Sequence, residues 1–312
     1  MLQASKNALI SPAEVFNTSG VPRGVRVVEV GPRDGLQNES AIVPTEDKAA
    51  FIELLAQSGL RDIEVSSFVS PGRVPQLADA GELFALLSQR PGVRYSALVA
   101  NERGLERALA AGVDGIALFT AASEAFALRN IGKTIDRSLE LFGALAGQAK
   151  SAGLWVRAYV STAFACPFTG PTAPAAVLPV VSRLLDIGVD EISVADTIGS
   201  ARPEDVAILT EALLPLLPAE RFAYHFHDTR GVALANVEAA LEFGISVFDA
   251  AAGGLGGCPF APGAPGNLAT EDLLELLGRR GIATGVDVES IRVASGMLRD
   301  LLRLVDNSQQ LC

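Results

Sequence analysis

The chain holds only two histidines, and they stand two residues apart in the run His225-Phe226-His227-Asp228. The residues before them, Arg221-Phe222-Ala223-Tyr224, read as the start of a short strand. On a strand, positions i and i+2 share a face and lie about 7 Å apart. Two imidazoles on one face at a strand end can reach a single cation, and neutral imidazole is the commonest metal ligand among side chains. In a histidine-rich protein the same pair would read as an ordinary surface strand. In a chain that places its only histidines this way, a metal site is the better explanation.

Other polar residues follow the predicted strands. They are Arg33-Asp34 and Gln37-Asn38-Glu39, then Glu64 with Ser66-Ser67, Asp196-Thr197, and Asp228. Each has a plain alternative. Asp196 could cap the following turn, Arg33 and Asp34 could be a loop ion pair, and Asp228 is better placed to cap the next helix. Glu29 alternates with Val28 and Val30 and reads as a structural polar residue of a barrel interior. Together, an Asp, two His and several carboxylates form a nitrogen and oxygen donor set with open positions. Such a set suits Mg²⁺, Mn²⁺ or a similar divalent cation better than a structural zinc. The stretch 253–267 holds six glycines and three prolines around Cys258, too irregular for a helix and long for a connector. A loop of this kind over a metal site suggests a lid whose thiol donates or accepts a proton. A buried loop cysteine is the alternative.

These residues are far apart in sequence, so a scaffold must bring them to one rim. Apolar strand-like runs are predicted over 25–30, 62–65, 95–99, 115–119, 154–160, 191–195, the run bearing the histidines, and 245–251. Helical runs fall between them, over 46–58 with Thr45 as cap, then 75–89, 102–111, 135–152, 173–187, 203–214 and 233–243. Gly59, Gly112, Gly153, Gly188 and Gly244 stand where these helices should stop. Alternating strands and helices imply a parallel sheet clothed in helices. An open doubly wound sheet competes, but eight units in a chain of this length favour the α/β (β/α)8 TIM barrel, with a C-terminal helical extension from Thr270. The expected organisation is a lead-in over 1–24 and one barrel domain over 25–312 that includes the glycine and cysteine loop. In such barrels the active site lies at the C-terminal ends of the strands.

Composition narrows the partners. The 312 residues are 49% hydrophobic and 20% charged, which describes a packed globular protein. The net charge of −11 argues against nucleic acid and anionic membrane, which need a basic face. A phosphorylated ligand needs only a local cluster of donors and stays open. Three cysteines, Cys166, Cys258 and Cys312, are too few for a disulfide framework and suit a reducing compartment. Residues 1–20 resemble neither a secretory nor a transit segment. No apolar run is long enough to span a membrane. A cytoplasmic protein is expected.

Two long motifs resemble a known family. The run from Val28 to Glu39, which includes Gly31-Pro32-Arg33-Asp34-Gly35-Leu36-Gln37-Asn38, is similar to the opening motif of 3-hydroxy-3-methylglutaryl-CoA lyases. The run Gly254-Leu255-Gly256-Gly257-Cys258-Pro259-Phe260-Ala261, continued by Gly266-Asn267-Leu268-Ala269-Thr270-Glu271-Asp272, is similar to their cysteine-loop signature. The stretches from Ile63 to Ser70 and from Asp196 to Gly199 also match. The resemblance implies a (β/α)8 barrel with bound Mg²⁺ or Mn²⁺, an acyl-CoA substrate, a homodimer, and retro-Claisen cleavage to acetyl-CoA and acetoacetate. It implies Asp34, His225, His227 and Asn267 as metal ligands, Arg33 as stabiliser of the enolate oxygen, and Cys258 as the acid/base of the loop. Glu64 and Asp196 match catalytic positions, and Gln37 and Glu271 match substrate-binding ones. A lyase for a bulkier 3-hydroxyglutaryl-CoA thioester, or an aldolase-type relative, is the alternative. Departures from the family pattern fall at 162–168, at Arg230 and at Phe260. They spare the metal positions and bear on which acyl substituent is accepted.

Overall fold

Eight strands pair in parallel around a closed ring in sequence order. They are β1 (Arg26–Glu29), β2 (Asp62–Ser67), β3 (Arg94–Leu98), β4 (Gly115–Ala121), β5 (Trp155–Ser161), β6 (Glu191–Asp196), β7 (Phe222–Phe226) and β8 (Val247–Ala250). β8 returns to pair with β1, Asp249 lying opposite Val28. The computed structural model describes residues 20–256 and 266–309. Cys258, Phe260, Cys312 and the lead-in before Gly20 lie outside those residues.

The helices are α1 (Thr45–Gln57), α2 (Ala80–Leu86), α3 (Glu102–Ala111), α4 (Glu124–Asn130), α5 (Ile135–Ser151), α6 (Pro174–Ile187), α7 (Pro203–Leu213), α8 (Ala233–Leu241), α9 (Thr270–Arg279) and α10 (Val288–Gln309). The (β/α)8 barrel expected from the alternation is therefore present, and α10 extends it by packing across α1. Three local expectations are corrected. Thr45 is the first residue of α1 and not its cap, because its hydroxyl donates to Asp79 at 2.8 Å. The run 75–89 is broken into a short 3-10 turn, Pro75–Leu77, and the seven-residue α2. Helix α4 was not anticipated, since seven residues are too few to show a periodic pattern.

Each strand sends alternate residues to two different places. One set, such as Val156, Ala158 and Val160 on β5 or Phe222, Tyr224 and Phe226 on β7, packs against the helices and forms the main core. The other set fills the barrel. In most barrels that interior is built of branched apolar side chains. Here it also holds Arg157, Asp249, Glu191 and Glu64, all buried. Glu29 belongs to the outward set. Val28 and Val30 pack with Ala223 and Val247 on the inner side, so Glu29 faces the helices and not the interior. Its carboxylate accepts the backbone N–H of Gly31 at 2.8 Å and of Ala252 at 2.9 Å, and the Thr270 hydroxyl at 2.7 Å. The structural role stands, while the interior position does not.

Candidate active site

The chain leaves β1 through a tight π-helical turn, Gly31–Gly35. The carbonyl of Val30 accepts N–H groups from Arg33, Asp34 and Gly35 at 3.1, 2.7 and 3.3 Å. Winding five residues this way turns the adjacent Arg33 and Asp34 side chains together into the mouth of the barrel. Such turns are frequent at functional sites. Two strands round the ring from β1, β7 delivers His225 on the inner face. His227 lies just past the strand and bridges Asn267 in the returning loop. Asp34, His225 and His227 each offer a ligand atom within 4.8 Å of the others, the grouping expected from the sequence.

Both imidazoles are held in the same tautomer. His225 Nδ1 lies 3.2 Å from Asp249 Oδ2, and His227 Nδ1 lies 3.0 Å from the Asp196 carbonyl. Carboxylate and carbonyl oxygens only accept, so both Nδ1 atoms carry the proton and both Nε2 lone pairs remain for a cation. Burial lowers the His227 pKa to about 4, keeping the ring neutral near pH 7. Burial would raise the Asp34 carboxyl, but Arg33 and the two imidazoles hold it well below the usual carboxylate range. Both ligand types are thus in the protonation state that metal binding needs.

Asn267 provides the fit test for a fourth ligand. Its amide nitrogen donates to Asp34 Oδ2 at 3.0 Å and to the Leu255 carbonyl at 2.9 Å. That fixes the amide orientation and leaves Oδ1 buried without a partner among the described residues. A buried acceptor with no donor is costly unless a cation or ligand meets it. The loop neck sets this position. Gly266 crosses so close to Gly256 that a Cβ on Gly266 would lie 1.1 Å from the Gly256 carbonyl oxygen, and Gly256 itself has φ +101°. Only glycine fits either place. The Asn267 N–H then bonds the Gly256 carbonyl at 3.2 Å.

Arg33 is buried, and its guanidinium is gripped by Glu64 at Nε and by Asp34 at a terminal nitrogen. Arg33 also lines the cavity. Glu64 has its other oxygen bonded by the Tyr159 hydroxyl at 2.6 Å. Gln37 lines the cavity and donates to Asp34 Oδ1 at 3.1 Å. Two further residues sit differently from the sequence expectation. Asp196 is fully buried, and its oxygens accept the N–H groups of Ser200 and Ala201, each at 2.9 Å. Burial pushes its pKa up to about 6 despite those bonds. It holds the β6–α7 loop through these bonds and reaches His227 through its backbone carbonyl. Glu271 is not on the described cavity wall. Its carboxylate bonds Gly253 N at 2.8 Å and Ser295 Oγ at 2.6 Å, tying the base of the loop to α10. Asp228 caps α8, accepting the Ala233 N–H at 2.9 Å, as its position suggested.

Sequence reasoning did not single out Tyr159, Arg157 or Asp249. They lie mid-strand, and only strand parity, which puts all three on the inner face with His225, could have found them. The site opens into a cavity of about 780 Å³ whose wall runs from Arg33, Asp34 and the histidines past Ser67 and Phe119 to Arg73 and Lys133.

Comparison with known proteins gives the family. The HMGL-like family model matches residues 24–298. The chain belongs to the hydroxymethylglutaryl-CoA lyase family. It is 46% identical over 302 residues to the cytoplasmic 3-hydroxy-3-methylglutaryl-CoA lyase of Rattus norvegicus, covering 97% of this chain and 88% of that protein. The crystal structure of the HMG-CoA lyase from Brucella melitensis superposes with a TM-score of 0.89 at 47% identity, covering 90% of this chain and 99% of that one. An HMG-CoA lyase from Acinetobacter baumannii in complex with coenzyme A and 3-methylmalate gives a TM-score of 0.86 at 39% identity, covering 92% and 93%. With the family established, the barrel fold and the lyase class read from the sequence hold. No helix among the described residues is long and apolar enough to cross a membrane.

Proposed function

We propose that this protein cleaves 3-hydroxy-3-methylglutaryl-CoA to acetyl-CoA and acetoacetate with the help of a divalent cation, Mg²⁺ or Mn²⁺. The observation that carries the reading is the buried Oδ1 of Asn267, without a partner among the described residues, beside Asp34, His225 and His227, with the Arg33 guanidinium paired to Asp34. Asp34, His225, His227 and Asn267 Oδ1 would hold the cation. When bound, it supplies Lewis acidity that lowers the pKa of the substrate's tertiary hydroxyl.

As that hydroxyl passes its proton to a base or water in the cavity, its oxygen becomes the ketone of acetoacetate and the bond to the carbon alpha to the thioester breaks. The electron pair of that bond stays on the alpha carbon and delocalises onto the thioester oxygen as an enolate. Arg33 lines the cavity, where it stabilises the enolate oxygen. A fixed donor of this kind is worth roughly 3–4 kcal/mol. Cys258, which stands between Gly256 and Gly266 in the sequence, delivers a proton to the enolate carbon to complete acetyl-CoA. Ser67 lines the cavity with a buried hydroxyl that has no partner among the described residues, and is placed to meet a polar group of the substrate. Arg73 and Lys133 at the far wall suit the pyrophosphate of coenzyme A. The relative named cytoplasmic suggests the same compartment here, and a homodimer through the C-terminal helices is a further part of the proposal.

The deciding assay measures acetoacetate released from 3-hydroxy-3-methylglutaryl-CoA with Mn²⁺, and again after EDTA. Chelator-sensitive release is expected. A folded, Mn²⁺-loaded protein that releases none would overturn the substrate. Bulkier 3-hydroxyglutaryl-CoA thioesters would then be tried, because Phe168, 37% exposed and stacked under Arg129 at 4.0 Å, departs from the family pattern.

A further inference from the structure

The largest fully buried side chain in the barrel is one that the reaction itself does not use. Arg157 lies on the inner face of β5, and each of its three nitrogens has a different neighbour. Nε makes only an ion-pair contact, 2.9 Å from Glu191 Oε1 but outside hydrogen-bond geometry. One terminal nitrogen donates to Asp249 Oδ1 at 2.5 Å, and the other to the Tyr159 hydroxyl oxygen at 3.0 Å. Two chains of hydrogen bonds leave from here. Through Asp249, whose Oδ2 also accepts Ser193 Oγ at 2.9 Å, the first reaches His225 Nδ1. Through Tyr159, the second reaches Glu64 Oε2 and then Arg33 Nε.

The direction of each bond is forced. A guanidinium only donates, so the Tyr159 oxygen accepts from Arg157 and must direct its single proton to Glu64. Glu64 thereby keeps one oxygen turned to Tyr159 and the other to Arg33. Asp249 likewise has one oxygen held by Arg157 and presents the other to the His225 ring. The Tyr159 ring is also wedged between the two guanidinium groups, with Arg33 5.5 Å and Arg157 5.0 Å from its centroid, and meets the His225 ring edge-on at 6.1 Å.

We propose that Arg157 is a positioning residue that sets both halves of the catalytic apparatus from one buried group, orienting the cation ligand His225 through Asp249 and the enolate-stabilising Arg33 through Tyr159 and Glu64. The proposal rests on the lyase reading for the role of Arg33, while its cation arm can be measured without substrate. The planar fork is essential, because a single ammonium cannot span Asp249 and Tyr159 together.

The test separates the arms. Mn²⁺ affinity is measured by titration on the purified full chain, and kcat and KM on 3-hydroxy-3-methylglutaryl-CoA at saturating Mn²⁺. Asp249→Asn should weaken Mn²⁺ binding about 10- to 100-fold. Tyr159→Phe keeps the ring and should leave Mn²⁺ affinity within about twofold while kcat falls about tenfold or more, with KM moving less. Arg157→Lys should show both defects at once. Parent-like Mn²⁺ affinity in Asp249→Asn would overturn the first arm, and parent-like kcat in Tyr159→Phe would overturn the second. Loss of Mn²⁺ affinity in Tyr159→Phe equal to that in Asp249→Asn would show a general loosening and reject the hub. If Arg157→Lys does not fold, the double variant Tyr159→Phe/Asp249→Asn decides, since both defects must then appear together and each at its single-variant size. A parent that binds Mn²⁺ yet turns over none of this thioester would refute the substrate reading alone, leaving the Mn²⁺ arm of the test intact.

Discussion

Arg33 shows how much a single side chain depends on its neighbours. Its pKa stands above the ordinary arginine value because Glu64 and Asp34 oppose the burial that would lower it. It therefore stays charged in a buried pocket, where a guanidinium acts on a developing negative charge far more strongly than in water. Arg33→Lys retains the charge but loses the two-sided grip, so kcat should fall about 100- to 1000-fold with a smaller change in KM. Steady-state kinetics at saturating Mn²⁺ checks this, and near-parent turnover would remove Arg33 from the enolate role. At this scale, the sequence revealed residues whose types are rare or whose motif is long. The lone His pair and the Arg33-Asp34 pair were visible for those reasons. Asn267 was not visible from spacing, because its place depends on where a glycine loop folds back. Arg157 and Asp249 were hidden because they lie mid-strand, away from the strand ends, where only parity with their apolar neighbours marks the inner face.

At the scale of elements, the strand alternation was readable because its period and the helix-stopping glycines recur through the chain. The turns that aim the side chains were not. A π-turn after β1 and a glycine crossing at the loop neck arise from tertiary contacts that local sequence does not encode. The crossing can be tested directly. Gly266→Ala must displace Asn267 from the Gly256 carbonyl, so Mn²⁺ affinity should drop about tenfold while circular dichroism stays native. Unchanged affinity would show that the neck does not set the fourth ligand.

Glu29 pins the other side of the same region, joining β1 to the turn at Ala252 and to α9. Burial raises its pKa from 4.5 to about 7. Since the folded state holds the proton more tightly than the unfolded one, its contribution is fully present below about pH 4.5 and is lost as pH rises through about 7. At about 1.4 kcal/mol per pH unit, the whole effect is about 3 kcal/mol. Glu29→Gln removes the titration and can still accept both backbone N–H groups. Denaturant melts at pH 5 and pH 8 should show the parent losing stability relative to this variant across that window, and parallel curves would contradict the shifted carboxyl.

For the molecule as a whole, the question is whether the cation is needed for folding or only for chemistry. Sites made of several carboxylates repel themselves when the cation is removed. Here the proposed donor set contains one carboxylate, Asp34, already paired with Arg33, together with two imidazoles and an amide. The barrel also has a continuous apolar core between its strands and helices that does not involve the site. Removing the cation should therefore leave a folded barrel, and adding it should stabilise by mass action alone. At a free Mn²⁺ concentration about 100 times Kd, that gain is about 2.7 kcal/mol. Unfolding entropy of about 2 cal/mol/K per residue makes each kcal/mol worth about 1.5 °C in a chain of this size, so Tm should rise by about 4 °C. EDTA should reverse the rise, and Asp34→Asn should fold yet show little of it. An Asp34→Asn protein with the full Mn²⁺ shift would place the stabilising cation elsewhere. Unfolding of the parent by EDTA alone would mean that the site, and not the apolar core, holds the C-terminal rim of the barrel together.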